Sequence, residues 1–534
     1  MEFDFSNRDL MEGHLVDLVS RIWDKDCTLW PGPTENTREH LGWLEAPDET
    51  KNNLDMLMGI VRSIDTAAIE TVVLLGMGGS SLGAKAFLDV LPRDSRLRVL
   101  VIDTIEEDFI VEVLSSLDPC RSMFLVSSKS GKTLETMCLY RFFRGWASDY
   151  IEETELGSRF IAITDQGSPL DALAQRDSFA EILYGNPQIG GRYSGLSLQG
   201  VFPALLSGID ISHVLQSGID MSRGSRSDSI SENESLALAM FLVSNFVRGK
   251  DKLTLLTSGV VDGFSPWIEQ LVAESLGKDG KGIVPVVGEP IYELSQYSTD
   301  RMFVYITCSD AENSKEDSDL IDSLGKMGAG VFKIEMPSLY DLGGEMFRWE
   351  FAMALVASVL SINPFDQPDV DKSKVIDTDD IVSLTKPDRV KYIDVNQPMN
   401  ELFSFIKDGM YLAILAYVPL RDDIKYLLQD FRSSITTGFG IPTTLGFGPQ
   451  YLHSTGQIHK GGANNGVYLQ IVCDSKGSLC DTALEESFST IWRAQANGDM
   501  DALRNIGREI VQVDLKNNLV EGLHMLIRQV EKTN

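Results

Sequence analysis

Between residues 127 and 136 the sequence reads Ser-Ser-Lys-Ser-Gly-Lys-Thr-Leu-Glu-Thr, ten residues that carry five hydroxyls and two lysines. The apolar Met123–Val126 before it reads as a buried strand, and Leu134, Met137, Cys138 and Phe142 fit the inner stripe of a following helix. A helix N-terminus presents unpaired N–H groups and the positive end of the macrodipole, so this is a seat for a phosphate. Lys129 and Lys132 supply charge, and Ser128, Ser130 and Thr133 supply directional donors. Helix capping alone accounts for one hydroxyl rather than five.

Four further segments hold groups with usable chemistry. Gly76-Met-Gly-Gly-Ser-Ser81 follows a strand-like run and lets backbone approach a ligand, with Ser80 and Ser81 as donors. Gly190-Gly-Arg-Tyr-Ser194 places the guanidinium of Arg192, permanently charged and a fork of donors, beside exposed backbone. Gly288-Glu-Pro290 holds Glu289 next to a rigid proline at a strand end, where a positioned carboxylate can act as a general base. His453 and His459 lie with Lys460 in a glycine-rich stretch that offers no apolar face to bury them, which favours a functional loop. By contrast, Glu274 and Lys278 stand one helical turn apart and read as a solvated ion pair contributing about 0.3–0.5 kcal/mol.

Two nucleotide motifs are only superficially present. The Walker A glycine would stand five residues before Gly131-Lys132-Thr133, where this chain has Val126. Gly76-Met-Gly78 begins like a dinucleotide fingerprint, but Ser81 occupies the third glycine position; a nicotinamide enzyme with Asp103 on the ribose is the alternative this leaves.

The elements that must carry these groups follow from pattern. Residues 1–68 read as helical, with a Pro31-Gly-Pro33 break and no evident chemistry. Residues 69–217 and 236–365 each alternate β-branched or apolar runs with helix-length segments, the signature of a parallel sheet covered by helices. The Ser-, Asp- and Gly-rich stretch from Gly218 to Ser235 reads as a linker or surface loop. Residues 366–534 read as a mixed helical and loop region, with Thr436 to Asn465 as a long functional or flexible loop. The expected fold is therefore α/β, with two sheet modules, a helical N-terminal segment and a mixed C-terminal tail. Ligands collect at the carboxyl ends of strands in such sheets, where the loops beginning at Gly76, Ser127 and Gly288 all fall.

Totals narrow the function classes. At 534 residues the chain exceeds a single core. A net charge of −31 argues against nucleic acid and anionic membranes as partners, while local basic groups still permit phosphate binding. Phe351 to Leu360, the longest apolar stretch, is well below the roughly 20 residues of a membrane span. No secretory signal is visible, so a cytoplasmic location is expected. Six scattered cysteines without a CxxC pair, and six histidines without an HExxH cluster, lead us to expect neither disulfide framework nor metal.

Taken in order, the motifs resemble the phosphoglucose isomerase family: Gly78 to Ser80, Ser128 to Ser130, Gly190 to Ser194, Glu274-Ser-Leu-Gly-Lys278, Gly288 to Pro290 and Phe365-Asp-Gln367. They span about residues 70 to 375, within two sugar-isomerase (SIS-type) modules. Tyr451 to Gly462 is similar to the isomerase half of bifunctional transaldolase/phosphoglucose isomerases, without a preceding transaldolase barrel. The resemblance implies interconversion of glucose 6-phosphate and fructose 6-phosphate through a cis-enediol(ate), in glycolysis and gluconeogenesis, with neither metal nor cofactor. By carry-over, Gly79, Ser80, Ser128, Lys129, Ser130 and Thr133 hold the phosphate, Arg192 steadies the enediolate, and Glu289 moves the proton between C1 and C2. Gln367 and Lys374 match the second signature, in which Asp369 and Asp371 replace the family's usual Gly and Glu. No histidine lies between His213 and His453, so ring opening falls to His453 or His459. A hexose phosphate is the expected small-molecule partner, and a homodimer is open. The competing readings are a non-catalytic sugar-phosphate-binding regulator and an isomerase of another sugar phosphate such as mannose 6-phosphate.

Overall fold

Short β-branched and apolar runs that recur at helix-length intervals can bury both faces only as central parallel strands. The computed structural model, which describes residues 8–533 apart from 65–66, 95–96, 371–383, 385–394, 475–476, 478 and 482–485, arranges them so. The first sheet comprises β1 (Thr71–Leu75), β2 (Arg98–Ile102), β3 (Ser122–Ser127), β4 (Phe160–Thr164) and β5 (Glu181–Tyr184). It is parallel throughout, in the order β2-β1-β3-β4-β5. The second comprises β6 (Lys252–Thr257), β7 (Val284–Val286), β8 (Arg301–Cys308) and β9 (Gly330–Met336), parallel in the order β7-β6-β8-β9.

The C-terminal region departs from the expected mixed tail. β10 (Tyr411–Tyr417), β11 (Thr443–Phe447), β12 (Gly466–Val472) and, after a short antiparallel pair β13 (Cys480–Asp481) and β14 (Glu486–Ser487), β15 (Glu509–Asp514) build a third sheet. It too is parallel, in the order β11-β10-β12-β15. The expected loop from Thr436 to Asn465 is thereby mostly ordered: it holds the end of helix Asp422–Phe439, β11, a 3-10 turn Gln450–His453 and helix Gly456–Gly461. The expected linker from Gly218 to Ser235 is also shorter than its composition suggests. Helix Ile211–Gly224 takes its first part, and the buried Asn233 caps the next helix while donating to the carbonyls of Ser225 and Ser227. Those asparagine bonds supply partners for a turn that polar composition alone reads as free.

The first sheet is the middle layer. Along β1, Val72 and Leu74 join a core that includes the N-terminal helices and helix Leu342–Leu360, whereas Val73 and Leu75 join the core formed with the third sheet. This period of two assigns each face a covering layer. Helix Leu342–Leu360, from which the apolar Phe351 to Leu360 comes, is buried along most of its length. No helix among the described residues is long and apolar enough to cross a membrane.

Candidate active site

A cavity of about 1000 Å3 opens where the loops after β1, β3, β4 and β5 meet helix Ser265–Leu276, the segment Asn363–Val370 and the turn that holds His453. These loops leave the carboxyl ends of parallel strands, the place where such sheets bind ligands. Of the residues expected from sequence, Gly79, Ser80, Lys129, Ser130, Thr133, Arg192, Gln367 and His453 line this cavity.

The glycines are required by close backbone approach. A Cβ on Gly79 would stand 2.2 Å from the Gly191 carbonyl, and one on Gly78, at φ +54°, would stand 2.6 Å from the carbonyl oxygen of His453. The loops that carry Ser80, Arg192 and His453 therefore meet at these two positions. In the β3 turn, the Ser128 and Thr133 hydroxyls lie 3.2 Å apart, and the Ser128 carbonyl accepts from Thr164 Oγ1 at 2.7 Å. Ser128 is buried in this turn and does not line the cavity, so it shapes the seat rather than facing into it.

The sequence expectation that Glu289 is the base does not survive the geometry. Glu289 is held in a buried ion pair with Arg301 and accepts from Thr443 N at 3.1 Å and Thr443 Oγ1 at 3.3 Å. It lies outside the cavity. The cause is the chain path: Gly288, at φ +55°, turns the segment after β7 toward the third sheet, where Arg432 binds the Gly288 and Val287 carbonyls. Glu289 fastens the second sheet to the third.

Glu274 takes the place in the cavity instead. It is only 5% exposed, and its Oε2 lies 3.2 Å from Arg192 Nε. Burial pushes its carboxyl above the ordinary range, with Arg192, His453 and Lys278 pulling the other way. The solvated Glu274–Lys278 pair expected from spacing is absent. Both residues are buried; Lys278 bonds the Asn363 carbonyl, pairs with Asp366 at 3.2 Å, and is pushed down to about 7 by burial. Arg192, 4% exposed, is fixed by the carbonyls of Glu274, Pro364 (3.2 Å) and Asp366 (3.1 Å) and by Gln367 Oε1 (3.3 Å). Carbonyl partners hold its orientation without cancelling its charge.

The two histidines separate cleanly. His453 lines the cavity, and its Nε2 meets Glu135 Oε1 at 2.9 Å, while Gln495 Nε2 donates to the same oxygen at 2.5 Å. Burial alone would raise the Glu135 carboxyl, but His453 and Gln495 outweigh it and the group stays below the usual range. His459 is buried between Tyr451 and Tyr468, with burial, Lys460 and Arg508 holding it well below its ordinary value. It does not reach the cavity. Lys374 lies outside the described residues. Asp103, the ribose contact of the nicotinamide alternative, is occupied by Lys85 at 3.1 Å and by Gln450.

Sequence reasoning missed Glu274 as a site residue, together with the pair Glu135 and Gln495, and Glu39 and His40 from the N-terminal segment. For Glu274 a signal existed: with Gln270 it forms a polar i,i+4 pair in the run Trp267 to Leu276, whose other residues are apolar except Glu269 and Ser275. Gln270 Nε2 bonds Glu274 and, at 2.8 Å, the His453 carbonyl. The Oε1 atoms of Gln270 and Gln495 are buried without a partner among the described residues.

The family model described as phosphoglucose isomerase matches residues 52–284, which contain the loops after β1, β3 and β5 as well as Glu274. The chain is similar over this stretch, a little under half of its length, to the phosphoglucose isomerase family. It is 27% identical over 388 residues to the glucose-6-phosphate isomerase of Mycoplasmopsis pulmonis, with 63% of this chain and 88% of that protein covered. To the glucose-6-phosphate isomerase of Staphylococcus saprophyticus it is 26% identical over 380 residues, covering 63% and 85%. The fold is similar to the crystal structure of a glucose-6-phosphate isomerase from Chlamydia trachomatis, with a TM-score of 0.57, 20% identity, and 69% and 84% of the two chains covered.

Proposed function

We propose that this chain, like the glucose-6-phosphate isomerases it resembles, interconverts glucose 6-phosphate and fructose 6-phosphate through a cis-enediol(ate). The observation that carries the reading is the Glu274–Arg192 contact in a cavity that also holds an anion seat. In this reading the β3 turn and Ser80 anchor the phosphate. Glu274, its carboxyl raised toward neutrality by burial, removes the proton from C2 and returns it to C1. The Arg192 guanidinium opposes the negative charge that develops on the enediolate oxygen, and its carbonyl contacts keep it aimed before the reaction begins. His453 moves the proton in ring opening, with Glu135 fixing one nitrogen so that Nδ1 is left for the sugar. The unpartnered amide oxygens of Gln270 and Gln495 suit sugar hydroxyl donors.

The test is formation of fructose 6-phosphate by the purified chain, with deuterium uptake from solvent at C1 and C2 followed by NMR. Binding of glucose 6-phosphate without turnover or exchange would instead make the chain a sugar-phosphate sensor. Parallel assay of mannose 6-phosphate sets the breadth of the substrate class, and light scattering tests whether the chain forms a homodimer.

A further inference from the structure

The two lysines of the phosphate seat have different surroundings. Lys129 Nζ donates to the carbonyls of Pro187 at 2.6 Å and Ile189 at 2.8 Å, and lies 3.8 Å from Asp165 Oδ2. Of the three donors of the ammonium, two are taken by these carbonyls, and the Asp165 carboxylate offsets its charge at longer range. Its burial holds the amine below the usual lysine range. The carbonyls it binds belong to the segment that leads directly into Gly190-Gly-Arg192, so Lys129 ties the β3 turn to the loop that presents the guanidinium.

Lys132 is the reverse case. It is exposed, lines the cavity, and has no ion pair or side-chain hydrogen bond among the described residues. It also immediately precedes Thr133, the N-cap of helix Leu134–Ser148. A cation at the positive end of a helix is unfavourable by itself, and becomes favourable when an anion stands between it and the first free N–H groups. Gly131 makes the placement rigid: it adopts φ +63° and packs so closely that a Cβ would stand 2.5 Å from Leu170 N. The same cavity holds Gln495, 4% exposed with its Oε1 unpartnered, which independently marks the space as one built for a ligand.

We propose that Lys132, and not Lys129, is the side-chain cation that compensates the substrate's phosphate, while Lys129 is a positioning residue for the Arg192 loop. The inference rests on the isomerase reading for its substrate but not for its anion site. It is tested with the full chain by measuring kcat and KM for fructose 6-phosphate, the dissociation constant of inorganic phosphate by calorimetry, and thermal melting. Lys132→Ala is expected to raise KM and weaken phosphate binding by about tenfold, the lower end for a charge-assisted hydrogen bond because the group is exposed. Its KM should depend less steeply on salt, its melting temperature should not fall, and Lys132→Arg should restore both constants to within about threefold. Lys129→Met is expected to act chiefly on kcat through displacement of Arg192. Phosphate affinity within twofold of the parent in Lys132→Ala, or a larger loss in Lys129→Met than in Lys132→Ala, would overturn the assignment. A parent chain that binds phosphate through Lys132 yet shows no turnover would overturn the isomerase reading and leave this inference standing.

Discussion

Replacing Glu274 and Glu289 separately by glutamine tests the proposal that Glu274 is the catalytic carboxylate and Glu289 a structural one. Glu274→Gln keeps the shape of the side chain and an amide that can still meet Arg192, but it cannot accept the substrate proton. Loss of a general base typically removes a factor of about 100 to 10,000, or about 2.7–5.5 kcal/mol of barrier. Stability should suffer less than removal of a buried charge usually implies, because Arg192 retains the carbonyls of Glu274, Pro364 and Asp366 and the Gln367 amide. Glu289→Gln inverts the pattern. Arg301 is fully buried, and besides Glu289 its guanidinium bonds Thr254 Oγ1 at 3.1 Å. An uncompensated buried charge costs about 3–5 kcal/mol, so the melting temperature should drop by several degrees while turnover per folded molecule stays within a few-fold. Initial rates in a coupled assay, deuterium exchange at C1 and C2, and melting curves on the same preparations measure both effects. The reasoning fails if Glu274→Gln keeps kcat within threefold of the parent, or if Glu289→Gln abolishes turnover without changing the melting curve.

Other consequences follow from the same geometry. Glu274 must be ionised to act, and its burial raises its carboxyl, so the acidic limb of the kcat/KM profile should lie above the ordinary glutamate value of about 4.3. Arg192→Gln removes the cation that opposes this rise, so it should move the limb further up in pH as well as lowering kcat; a limb that moves down would contradict the pairing. His453→Gln should slow turnover of the cyclic sugar far more than exchange on the open-chain form, whereas His459→Gln should leave ring opening intact and act on stability. Normal ring opening in the double variant would remove histidine from the mechanism. Gly79→Ala places a methyl 2.2 Å from the Gly191 carbonyl, and should raise KM at least tenfold by parting the Ser80 and Arg192 loops; an unchanged KM would show that the loops need not meet.

The turn proposed to seat the phosphate was legible as a cavity-lining loop because its residues are local. Hydroxyls, lysines and a helix start lie within ten contiguous residues, and the strand-end rule places them in a cleft without knowledge of what faces them. The proposed base was not legible in the same way. Glu274 and Glu289 both stand in glycine-bearing motifs, and spacing reports which helical face Glu274 shares with Lys278, not whether that face meets water. Burial of both residues arises from helix Ser265–Leu276 lying between the first module and the segment Asn363–Val370, contacts distant in sequence. Glu289 misleads for the converse reason. A carboxylate at a strand end looks available until Arg301, twelve residues later, and Thr443, far along the chain, are seen to enclose it.

The third sheet brings an imidazole, that of His453, to the cavity. β10 and β12 are unbroken seven-residue buried strands, whose continuous apolar character is as consistent with buried helix as with strand when periodicity alone is read. Once paired, β11 ends at Phe447 and the turn that follows brings His453 against Gly78, while helix Phe488–Asn505 brings Gln495 to the same carboxylate, Glu135. Glu135 belongs to the first turn of the helix that begins at the phosphate seat. The proposed anion site and the imidazole are thus two ends of one connection through Glu135, so a substitution that shifts the start of helix Leu134–Ser148 should perturb phosphate affinity and ring opening together. A Glu135→Gln variant that lost ring opening while keeping both phosphate affinity and the His453 orientation would place the coupling in charge alone rather than in that connection.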